Sequence, residues 1–93
     1  MSVSVVLPDQ LRGLVPDGSN VCLPGDPGTV REALETLRRH HLEVYHRIVT
    51  EQGEVRPHVN LFVGRENIRW HEGLETRLPE GAELVVLPAV SGG

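Results

Sequence analysis

"TVREALETLRRHH", residues 29 to 41, carries the clearest helical signature in the chain, and its reading decides the fold class. Thr29 followed three residues on by Glu32 makes a capping box, in which hydroxyl and carboxylate satisfy amides that a helix N-terminus leaves without partners. Val30, Ala33, Leu34 and Leu37 recur at i, i+3, i+4 and i+7, a single apolar stripe made to face a core. Arg38, Arg39 and His40 fall in the last turn, where cations favour the helix dipole. "PGDPG" (24–28) breaks the chain just before it.

On both sides of this helix the apolar period drops to 2. In "SVSVVL" (2–7), Val3, Val5 and Leu7 alternate with Ser2, Ser4 and Val6. A long connection, "PDQLRGLVPDG" (8–18), leads to a second strand at "SNVCL" (19–23). "HVNLFV" (58–63) sets Val59, Leu61 and Val63 on one face and Phe62 on the other. "GREN" (64–67) turns the chain, "IRW" (68–70) reads as a short edge strand, and "LPEGAE" (78–83) leads to a last strand at "LVVLP" (84–88). In "LEVYHRIVTEQGEV" (42–55), Tyr45, Ile48 and Val49 point inward from a short second helix or a turn. One main helix cannot cover both faces of a mixed four- or five-stranded sheet. The expected fold is α+β, with one sheet face packed on the helix and the other facing solvent.

That layout puts Val6, Phe62 and either Val85 or Leu87 on strand faces opposite the core set. Left uncovered, they form an apolar patch of the kind that marks a partner surface. The alternative is that "LEVYHRIV" or a loop covers them.

The composition narrows the function. The chain of 93 residues suits one small domain, built on Val and Leu because its aromatics are only Tyr45, Phe62 and Trp70. Net charge is −4 and all nine basic residues are arginine. An acidic domain without a basic run is a poor match for nucleic acid or for an anionic membrane surface. No stretch is long and apolar enough for a membrane span, and "MSVSVVLPDQ" does not read as a signal peptide. The single Cys22 allows no internal disulfide, reads as a small structural thiol, and fits a reducing cytoplasm. His40, His41, His46, His58 and His71 lack metal-ligand spacing, so no metal is expected. No nucleophile elbow, phosphate-cradling glycine loop or dinucleotide fingerprint is present, and an internal catalytic centre is not expected.

What remains is the ending "ELVVLPAVSGG" (83–93). Using a terminal carboxylate as an acyl donor requires a phosphate and then a nucleophile to approach its carbon. Any β-carbon nearby would crowd both approaches, and glycine has none. Pro88 fixes the exit from the last strand, Ala89, Val90 and Ser91 give reach, and Gly92 clears space beside Gly93. The expected division is a body of residues 1–88 and a flexible tail of residues 89–93.

With "LPAVSGG" at its end and this order of elements, the chain resembles the ubiquitin-like sulfur-carrier proteins. These include the small subunit of molybdopterin synthase, the thiamine-pathway carrier and the carrier of a thiocarboxylate-dependent cysteine synthesis. "LPDQLRGLVPDG", "HVNLFVGRENIRW" and "GLETRLPEGAELVVLPAVSGG" resemble the cysteine-synthesis type most, although Ser91 stands where relatives often carry alanine. The resemblance implies a β-grasp fold and a free monomer that is a protein substrate rather than an enzyme. It implies that a ubiquitin-activating-type enzyme adenylates the carboxylate of Gly93 with ATP and that sulfur then replaces AMP to give a thiocarboxylate. It also implies a pyridoxal-phosphate cysteine synthase and a zinc metalloprotease as later partners, with the cofactors held by them. The same resemblance leaves open a carrier for molybdopterin, thiamine or natural-product thiolation. A modifier joined to proteins through Gly93 and a β-grasp interaction domain with an inert tail also remain open.

Overall fold

A computed structural model describes residues 3–15, 18 and 20–88. Five strands form one mixed sheet: β1 (Val3–Val6), β2 (Val21–Leu23), β3 (Val59–Val63), β4 (Glu66–Asn67) and β5 (Glu83–Pro88). Their order across the sheet is β2-β1-β5-β3-β4, with β1 and β5 parallel and the other neighbours antiparallel. Three helices accompany them: α1 (Asp9–Arg12), α2 (Val30–His40) and α3 (Leu42–Ile48). This is the β-grasp architecture, and the α+β expectation holds.

The alternation in the strands decides which face is inward. Val3 and Val5 of β1, Val59 and Leu61 of β3, and Leu84 and Val86 of β5 are all buried. Against them lie Val30, Ala33, Leu34 and Leu37, the stripe expected of α2. Each such aliphatic side chain contributes roughly 1.5–3 kcal/mol by leaving water, which is why a chain with three aromatics still has a core.

The cap of α2 differs in one bond from the expected box. Thr29 Oγ1 accepts from the Glu32 amide at 3.2 Å, as expected. Glu32 Oε1, however, accepts from the Gly28 amide at 2.9 Å, one residue earlier than the usual partner. The same end of α2 is laced to the segment before β5. The Val30 amide donates to the Thr76 carbonyl at 3.0 Å and the Leu78 amide to the Gly28 carbonyl at 2.9 Å.

Two local readings are filled in and one is corrected. The connection after β1 contains α1, anchored by buried Leu11. The ambiguous segment after α2 is the helix α3, which buries Val44, Ile48 and the following Val49 in the same core, while Tyr45 is only partly buried. "IRW" is not a strand: β4 is Glu66–Asn67, and Ile68–Trp70 forms a 3-10 turn. There Asn67 Oδ1 accepts from the Arg69 amide at 2.9 Å, so the side chain competes with the ladder and ends the strand. Ile68 then turns into the core and leaves Trp70 78% exposed. The β3–β4 turn needs Gly64, whose φ is 63° at the first of the two connecting residues.

Candidate functional site

β5 is the inner strand that ends the described body. It is clamped by β1 on one side, with Val6 opposite Val85, and by β3 on the other, with Phe62 opposite Val85 and Val59 opposite Pro88. Pairing on both sides holds Leu84 and Val85, and β3 alone carries the strand on to Pro88, the last described residue. Ala89, Val90, Ser91, Gly92 and Gly93 themselves lie outside the described residues.

The outer face of the sheet follows from the same register. Val6, Val85 and Phe62 form one row across β1, β5 and β3, because each is a Cα partner of the next. Leu87 stands two residues further along β5, opposite Asn60, and is 44% exposed. The choice between Val85 and Leu87 therefore dissolves: residues two apart on a strand share a face, and both belong. α3 packs on α2 and buries Val44 and Ile48 in the inner core, so "LEVYHRIV" does not cover this patch. Polar residues frame it, with Ser4 and Glu83 as partners at one end and Asn67 Nδ2 reaching Asn60 Oδ1 at 3.4 Å at the other. An apolar centre inside a polar rim is the usual build of a protein-binding surface.

Cys22 does not fill the core as a structural thiol. It is exposed on β2 between buried Val21 and Leu23, its alternation placing it outward. Of the five histidines, His71 pairs with Glu66 at 2.5 Å between Nε2 and Oε2. Among the described residues no cluster of three or more His, Cys, Asp or Glu side chains is placed to hold a metal, and no polar or charged side chain is buried. Burial is the usual means by which a fold tunes an acid, base or nucleophile. What the described residues offer is a rigid body, an apolar outer face and a strand β5 that runs to Pro88.

A feature not legible in the sequence lies at the foot of β5. Pro8, Leu11, Arg47, His58, Val86 and Pro88 are among the residues lining a groove of about 210 Å³. They come from four separate segments, and no local pattern announces such a meeting.

Known proteins agree with the architecture. The ThiS family matches residues 5–93. The sulfur carrier protein CysO of Mycobacterium tuberculosis is 30% identical over 95 residues, spanning 100% of both chains. A chain of the Amycolatopsis orientalis BexX/CysO complex superposes with a TM-score of 0.82 at 32% identity, covering 98% of this chain and 99% of that one. SAMP1 of Haloferax volcanii superposes with a TM-score of 0.78 at 28% identity over 100% of both chains. The chain belongs to the ThiS family and is a ubiquitin-like protein of the sulfur-carrier and small-modifier group.

Proposed function

We propose that the reacting group of this protein is the carboxylate of Gly93, which is adenylated and then converted to a thiocarboxylate that donates sulfur. One observation carries the reading: the family match runs through Gly93, five residues beyond the point where β5 delivers the chain at Pro88. In the first step a carboxylate oxygen attacks the α-phosphorus of ATP and pyrophosphate leaves. A sulfide equivalent then attacks the acyl carbon and AMP leaves. The product is an ionised soft nucleophile whose reactive sulfur is borne by the carbon that was first the electrophile. Glycine at 92 and 93 keeps both lines of approach open.

In this reading the protein is a substrate and carrier, and its partners supply the catalysis. The row Val6–Val85–Phe62 with Leu87 is the docking face for a ubiquitin-activating-type enzyme, and the free protein is a monomer. ATP, pyridoxal phosphate and zinc belong to the activating enzyme, a cysteine synthase and a metalloprotease in turn. Cysteine formation in the cytoplasm is the preferred destination, supported by the full-length similarity to CysO carriers. The similarity to SAMP1 favours a second reading, attachment to other proteins through Gly93. Because the chain has no lysine, it could not then extend chains through its own lysine side chains.

The test is the intact mass after incubation with an activating enzyme, ATP and a sulfide source. Replacement of one oxygen by sulfur at the C-terminus supports the carrier, and an unchanged mass beside a competent enzyme refutes it. Transfer to O-acetylserine or O-phosphoserine then separates the cysteine route from the other destinations.

A further inference from the structure

We propose that the groove at the foot of β5 is a resting site for the chain's own end, holding the carboxylate of Gly93 or the thiocarboxylate that replaces it. The inference rests on Gly93 being the reacting terminus. The groove has an apolar floor that includes Leu11, Val59 and Val86, and Arg47 and His58 add the basic side chains of its lining. Arg47 sits in the last turn of α3, a helix fixed by fully buried Val44 and Ile48, so its cation projects from a rigid element. His58 immediately precedes β3.

Three features select the occupant. The first is charge. Among the described residues no carboxylate lines the groove, and neither Arg47 nor His58 has an ion-pair partner. The larger groove beside α2, about 520 Å³, is different: there Glu32 and Glu35 stand among Arg31, Arg39 and His40, and the charges offset one another. The second is reach. Pro88 is itself part of the lining, and the five residues after it extend about 17 Å. That exceeds the width of a groove this size, so the chain can fold back across it. The third is shape. Val90 is the one sizeable apolar side chain of the tail and has an apolar floor to meet, while Gly92 and Gly93 put no side chain between the carboxylate and the Arg47 guanidinium. A guanidinium can receive such a carboxylate through two parallel hydrogen bonds.

The pairing is exposed to solvent and therefore weak, biasing the tail toward the groove by about fivefold. A weak site suits a carrier, because a partner's channel can withdraw the tail without a large penalty. A thiocarboxylate is also an anion, so the loaded tail has the same resting place between partners.

The test uses the full-length protein alone, comparing methyl and amide spectra of the chain ending in a free carboxylate with those of the chain ending in Gly93 amide. Removing the terminal charge is expected to shift the methyls of Leu11 and Val59 and the Arg47 Nε–H signal. Arg47→Gln is expected to lower the docked fraction about fivefold and to abolish the response to amidation, while Arg39→Gln on α2 leaves it intact. Shifts confined to residues 88–93 would overturn the proposal, as would an unchanged response in Arg47→Gln. Sulfur loading is read separately by mass. A chain that loads sulfur with no response at Leu11 sinks the resting site alone, and a chain that responds but never loads sinks the carrier reading alone.

Discussion

The two faces of the sheet are made from the same strands and largely the same residue types, yet they do different work. Val5, Leu61 and Leu84 face α2 and are essentially sealed, whereas Val6, Phe62 and Val85, each one step along the same strands, are half-buried on the outside. On the inner face a valine is worth what it removes from water. On the outer face the same side chain stays partly in water, and burial under a partner would release the remainder of that free energy. Identity alone does not assign the role; parity along the strand does.

Breaking the inner face should have the largest consequence for stability. Leu37→Ala and Leu84→Ala each remove a fully buried side chain from between α2 and the sheet. Each should cost about 2–5 kcal/mol, read from urea unfolding, and a loss under about 1 kcal/mol would mean that the core repacks around the gap. The cap that starts α2 comes next. Thr29→Ala deletes the 3.2 Å bond to the Glu32 amide and should cost about 1 kcal/mol. The Arg31–Glu75 pair, 2.6 Å apart but more than half exposed at both side chains, tests how little a surface ion pair adds. Arg31→Ala should change stability by less than about 1 kcal/mol.

The outer face should answer in the opposite sense. Leu87→Asp is expected to move stability by only about 0.5 kcal/mol, because the side chain is already in solvent for much of its surface. The same variant should raise the apparent KM of the activating enzyme for this protein on the order of tenfold. A variant that unfolds, or one that is activated as well as wild type, would remove Leu87 from the docking face.

The sequence carried most of this contrast. Period 2 in "HVNLFV" and "LVVLP" and period 3.6 in "TVREALETLRRHH" separate inside from outside. What escaped depended on tertiary context. α1 is a single turn whose one buried residue, Leu11, leaves no periodicity to detect. The end of β4 depended on one side-chain bond from Asn67, and a run such as "IRW" has no means of showing that its isoleucine will turn inward. Cys22 lies outside the core because strand parity, not residue preference, sets its exposure. The groove around Arg47 and His58 could not be read at all, since its lining is assembled only by folding. The terminal Gly-Gly is the reverse case: the chemistry proposed for it is argued from residue type, and the described body contributes the end of β5 at Pro88.

The central claim is that this fold exists to present one carboxylate. Intact-mass measurement after incubation with an activating enzyme, ATP and sulfide tests it most directly, with a variant lacking Gly92 and Gly93 run in parallel. The account predicts exchange of one oxygen for sulfur in the full chain and no exchange in the truncated one. A full chain that keeps its mass beside a competent enzyme, or a truncated chain that gains sulfur equally well, would contradict it.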